Sequence, residues 1–243
     1  MRFTLAIVLA VMLLGSRPLA AEELRPQLDD LVRHFARVVF GDEYGINTGP
    51  KVVAKWQDTV GITVQGRATT ALAAMASRRL TDLSRLTKVK FKQVKPGTPG
   101  PSLDLMFMKR GEVGKLAAKL PPSDAAAMRK MMKDPSWRCF FLTWNMPSGA
   151  IVKSIVVVDV DREPAELDAC LLEELTQVMG LPNDVDAYWP TMFKPLDSSL
   201  EWSQWDELYL KTLYDPRLKP GMKPVDALQV ARGIFAKALA KQP

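Results

Sequence analysis

Cys170-Leu-Leu-Glu-Glu-Leu-Thr-Gln-Val-Met-Gly-Leu-Pro-Asn-Asp184 is the stretch from which the fold can be read. It completes a helix that starts at Pro164 and places Leu167, Leu171, Leu172, Leu175, Val178 and Met179 at helical spacing. Gly180 stands where a helix stops, and Pro182 follows two residues later. The polar residues Glu173, Glu174, Gln177, Asn183 and Asp184 lie inside this apolar frame, so their placement has to be explained by chemistry.

Zinc peptidases carry His-Glu-x-x-His on a helix because residues i and i+4 share one face. The long form adds a glycine that turns the chain and brings a third ligand to the same metal. The corresponding positions here are Glu173, Glu174, Gln177, Gly180 and Asn183. The spacing, the turn and the general-base position (Glu174) fit, but none of the three ligand positions is histidine. The chain's single histidine, His34, lies far away in sequence on an amphipathic helix, where a surface or capping role is expected. Glu173, Gln177 and Asn183 offer oxygens, two of them from neutral amides, which is poor chemistry for zinc. No cofactor is expected. A calcium-like cation near Asp184 and Asp186 is the one alternative, and the spacing is not that of an EF-hand loop. Adjacent Glu173 and Glu174 point about 100° apart and cannot flank one bond. A buried hydrogen-bond network of Glu173, Gln177 and Asn183 in place of a metal is the simplest reading. A buried Glu173 needs a partner, and Arg217 is the candidate counter-ion.

Toward the N-terminus, the order of elements supports a mixed sheet. Leu24–Phe40 is an amphipathic helix stopped by Gly41. Val60, Ile62 and Val64 alternate as a half-buried strand ending at Gly66. Thr69 or Thr70 caps a helix over Ala71–Leu86, and Lys88–Lys95 alternates again with its lysines on the solvated face. Pro96–Pro101 is a loop and Leu103–Met108 a strand. Gly111–Leu120 is weakly helical, and Ser123 or Asp124 caps a helix over Ala125–Lys133. Met128, Met131 and Met132 on that helix read as packing. Arg138–Trp144 and Ile151–Val160 are strands, the second an apolar β-branched run expected near the sheet centre. Trp202–Tyr214, capped by Ser203, and Val225–Leu239 are helices.

Met1–Ala21 has the pattern of a secretory signal peptide cleaved after Ala20 or Ala21, with an uncleaved anchor as the alternative. Loss of Arg2 and Arg17 lowers the formal charge from +6 to +4 and leaves 222 of 243 residues. That mild basicity suits a periplasmic or secreted protein that meets envelope polymer. No basic-aromatic array points to nucleic acid, and no later run is long enough to span a membrane. In an oxidising compartment, Cys139 and Cys170 read as a disulfide closing about thirty residues and adding roughly 3 kcal/mol, with two buried thiols as the alternative.

Cys170, Glu173–Gln177, Gly180–Leu181 and Asn183–Asp184, with Leu213-Tyr214-Asp215-Pro216-Arg217 and Pro220-Gly221-Met222, form two motif blocks. Together they resemble an exported bacterial family known as domain of unknown function 2927, related to the zincin-like metallopeptidases. The resemblance covers roughly Trp56–Leu239. It implies an α+β, zincin-like fold: a mixed twisted sheet, a backing helix, an active-site helix and a smaller helical C-terminal lobe. Gly221-Met222 would correspond to the methionine turn under the metal, with Tyr214, Asp215 and Arg217 supporting the site. The expected organisation is a signal peptide (1–21), an N-terminal helix (22–50), a sheet lobe (51–163), the central helix (164–181) and a C-terminal lobe (182–243). The expected function is binding of a peptide or cell-envelope polymer in the former substrate groove. The alternatives are an atypical hydrolase using Glu174 as general base and a purely structural envelope protein.

Overall fold

The computed structural model describes residues 25–41, 51–133, 137–194 and 199–241. The signal-peptide segment and the start of the first expected helix lie outside the described residues. Five strands form one sheet in the order β2-β1-β3-β5-β4. These are β1 (Val60–Gly66), β2 (Phe91–Gln93), β3 (Ser102–Met108), β4 (Cys139–Asn145) and β5 (Ile151–Asp159). β1 pairs in parallel with β2 and β3, and β3 in parallel with β5. β4 alone runs antiparallel, as an edge strand on β5. The continuous apolar run in β5 has a physical reason: the strand is covered on both faces. Val156 and Val158 enter one core cluster, Ile155 and Val157 the other.

The larger core is built by α2 (Thr70–Thr87) and α5 (Pro164–Gln177) on one face of the sheet. α1 (Leu28–Phe40), α6 (Gln204–Leu213) and α7 (Pro224–Leu239) continue it. Leu103, Leu105, Phe107, Phe141, Val156 and Val158 are its sheet layer. The opposite face packs Phe140, Leu142, Ile155 and Val157 against α3 (Val113–Ala117) and α4 (Pro122–Met131). Met128 and Met131 are buried there, as their packing role requires. α1 packs on α7, with Phe35 edge-on to Phe235 at 5.4 Å. The N-terminal helix therefore belongs to the same core as α6 and α7.

Three local expectations are corrected. β2 spans only Phe91–Gln93 because Lys88 is the left-handed cap of α2 (φ 66°), which delays the extended chain. α4 starts at Pro122, whose fixed φ suits the first helical turn, and neither Ser123 nor Asp124 caps it. Asp124 instead accepts from Trp144 Nε1 at 3.0 Å, fastening the helical insertion to β4. His34 is buried rather than on the surface, and its Nε2–H donates to the Val185 carbonyl at 2.9 Å. Thr69 and Ser203 cap α2 and α6 as their side chains predict.

Candidate functional site

α5 begins with Pro164 at its first turn and buries Leu167, Leu171, Leu172 and Leu175. The disulfide joins Cys170 to Cys139 at the start of β4, with Cα atoms 6.0 Å apart. Residues 170, 173, 174 and 177 follow i, i+3, i+4, i+7 spacing, so the disulfide turns this helical face toward the edge strand. Glu174 is 3% exposed and Gln177 1%, while Glu173 is half-buried. Gln177 Nε2 donates to Asp184 Oδ1 at 2.7 Å across the Gly180 turn.

Asn183 goes elsewhere. Its amide Nδ2 donates to the Arg37 carbonyl at 3.0 Å, in the last turn of α1. Gly41 donates its N–H to the same carbonyl at 2.8 Å. Gln177 and Asn183 therefore do hold the helix end to its surroundings, but through two separate partners instead of one network with Glu173. Arg217 does not pair with Glu173. Its guanidinium forks onto both carboxylate oxygens of Asp215 at 2.8 Å. The Arg217 hydrogen bonds hold the Asp215 carboxyl down to about 2.

The second motif block is structural glue around the segment Val53–Trp56. Gly221 N–H donates to the Val53 carbonyl and Val53 N–H to the Met222 carbonyl, each at 2.9 Å. On the other side, Lys55 N–H donates to the Gly149 carbonyl and Ile151 N–H to the Lys55 carbonyl, each at 3.0 Å. Tyr214 Oη accepts from Trp56 N–H at 3.1 Å and donates to the Met179 carbonyl at 2.9 Å. Burial pushes the Tyr214 phenol up, so it stays a donor at any physiological pH. Met222 Sδ accepts from Lys219 N–H at 3.0 Å within its own turn. The backbone approaches so closely that glycine is required. A Cβ at Gly180 (φ 107°) would stand 2.0 Å from the Ala54 carbonyl oxygen, and one at Gly149 (φ 80°) 2.3 Å from the Val53 carbonyl oxygen.

Lys55 was not singled out by the sequence, although a lysine inside Val52-Val53-Ala54-Lys55-Trp56 is the signal of a buried cation. It is 8% exposed, and its ammonium donates to the carbonyls of Leu213 (3.0 Å) and Leu218. It also lies 5.5 Å from the centre of the Tyr214 ring. Burial pulls its pKa down to about 8, against the opposing pull of Asp215.

The residues present do not fit a zincin metal. Gln177 and Asn183 direct their amide nitrogens to different acceptors, and Asp184 is engaged by Gln177. Asp186 is exposed, so the two aspartates considered for a calcium-like cation stand in different surroundings. Among the described residues, no group of three or more His, Cys, Asp or Glu side chains is arranged to hold a metal ion. Among those residues no helix is long and apolar enough to cross a membrane.

No curated protein and no solved structure matches the chain. A family model described as protein of unknown function (DUF2927) matches residues 29–232, which takes in α1 as well as the sheet and both motif blocks. The chain therefore belongs to the DUF2927 family of proteins of unknown function.

Proposed function

We propose that the protein is exported to an oxidising compartment, periplasmic or extracellular, and uses a zincin-like frame to bind an extended peptide or envelope polymer without cleaving it. The observation that carries this reading is where the former ligand side chains go. Gln177 and Asn183 keep the zincin spacing, yet their amides hold Asp184 and the end of α1. A single antiparallel edge strand, β4, fastened by Cys139–Cys170 to the helix bearing those positions, supports the zincin-like relationship. The disulfide and the signal-peptide pattern of Met1–Ala21 support export.

An edge strand presents unpaired backbone groups, and an extended ligand adds to it as a further strand. β4 is the candidate because the Cys139–Cys170 disulfide fastens it to α5, the helix that carries Glu174 and Gln177. The test is hydrogen–deuterium exchange of the oxidised protein with a library of envelope-derived peptides and glycan fragments. The expected result is ligand-dependent protection of amides within residues 139–145. Cleavage of a peptide that disappears in Glu174→Gln would favour the hydrolase reading. Absence of any binding across the library would favour a purely structural protein.

A further inference from the structure

Away from β4 and α5, α1 and the loop after Asn183 border an open pocket of about 610 Å³. Arg33 and Arg37, four residues apart on α1, stand on its helix side. Tyr188 and Trp189 stand on the loop side, with their rings edge-on at 4.8 Å. Tyr188 is 47% exposed, and its ring is held in place because its hydroxyl donates to Asp30 Oδ2 at 2.7 Å and accepts the Gln27 N–H at 3.2 Å. This makes a fixed aromatic face open to solvent.

Beneath it lie two buried polar atoms without partners. His34 donates from Nε2 to the Val185 carbonyl, so its Nδ1 carries the lone pair and is an acceptor. Burial lowers the His34 pKa and keeps the ring neutral. Nδ1 has no hydrogen-bond partner, and neither does the indole Nε1–H of Trp189. The two rings are 5.1 Å apart and both line this pocket. Both atoms are themselves buried, so the surface offered to a ligand is that of Tyr188, Arg37 and Asp186.

The charge balance narrows the class. Two arginines (Arg33, Arg37) face two aspartates (Asp30, Asp186), so the pocket favours neither sign. Arg33 is paired with Asp30, while Arg37 has no ion pair among the described residues. Charged forks and carboxylates next to an exposed aromatic face suit a ligand with many hydroxyls and an apolar ring face. We propose that this pocket binds an uncharged pyranose unit of a saccharide. Its ring stacks on Tyr188, and its hydroxyls engage Arg37 and Asp186. The pocket shares no residue with β4 or α5, so this inference stands whether or not the β4 reading does.

Titration calorimetry of the oxidised full chain with chitotetraose, maltotetraose and tetragalacturonate tests it. The expected result is saturable binding of at least one of the two neutral tetrasaccharides, with tetragalacturonate binding no tighter because the two aspartates balance the two arginines. Tyr188→Ala and Arg37→Gln, both at exposed positions, should each weaken that binding by about tenfold, in line with the loss of one stacking or charge-assisted contact. Circular dichroism checks that both variants remain folded. The inference is overturned if neither neutral sugar binds at millimolar concentration, or if binding is unchanged in both variants. Equally tight binding of an acidic hexapeptide at the same residues would assign the pocket to peptides and overturn it as well.

Discussion

Lys55 is the residue whose environment departs furthest from its sequence neighbourhood. It brings a cation to carbonyls at the end of α6 and in the turn that follows, where the helix dipole favours positive charge. Lys55→Met leaves those carbonyls without their donor and should destabilise the fold by about 1–2 kcal/mol at pH 7. The pH dependence has a definite sign. The folded pKa of about 8 lies below the ordinary 10.5, so between these values the unfolded chain holds a proton that the folded chain has released. Stability contributed by Lys55 therefore rises with pH across that window. Urea unfolding at pH 7.5 and 10.5 should show the wild-type advantage over Lys55→Met growing by at most about 3 kcal/mol. A gap that shrinks would contradict the burial of the ammonium. Other single residues were legible to different degrees. The cysteine pair followed from its even count and from the oxidising compartment that the pattern of Met1–Ala21 led one to expect. His34 and Asn183 did not, because their partners Val185 and Arg37 lie 151 and 146 residues away. Spacing along a helix shows which residues share a face, and long-range closure decides what that face meets.

At the level of elements, turns and caps explain more than propensity. α6 is held by Asp206, whose carboxylate accepts from Ser203 N–H at 2.9 Å, Met192 N–H at 3.2 Å and the Thr191 hydroxyl. Asp206→Ala removes the acceptor of a buried cap and should cost about 2–4 kcal/mol in urea unfolding. The turns around Val53–Trp56 rank by their geometry. Gly180→Ala, with a carbonyl 2.0 Å from the new Cβ, should lower the melting temperature more than Gly221→Ala, where the nearest atom is 2.8 Å away. A larger drop for Gly221→Ala would show that the Gly180 turn is not pressed against Ala54. β5 was readable because a strand covered on both faces must be apolar throughout. β2 and the start of α4 were not, because a left-handed cap at Lys88 and a proline at the first helical position shift boundaries without changing the hydrophobic pattern.

Across the whole molecule, one core runs from α1 through the sheet to α7, and the disulfide ties β4 to α5 across 31 residues of chain. Chain-entropy reasoning gives that link about 3–4 kcal/mol. Paired Cys139→Ser and Cys170→Ser substitutions should lower the urea midpoint accordingly, and reduction of the wild type should do the same. An unchanged midpoint would mean that the link contributes nothing to holding the edge strand on the helix. The sheet order and the packing of the helical insertion against its second face were beyond sequence reasoning, since strand periodicity carries no information about neighbours. The function proposed above rests on a zincin-like frame in which Gln177 and Asn183 make protein hydrogen bonds at the positions where a zincin holds its metal. The most direct test is elemental analysis of protein purified from its own host without chelators. The account predicts zinc far below one equivalent per chain, with no change in Glu173→Ala or Gln177→Ala. One zinc per chain, lost in either variant, would contradict it.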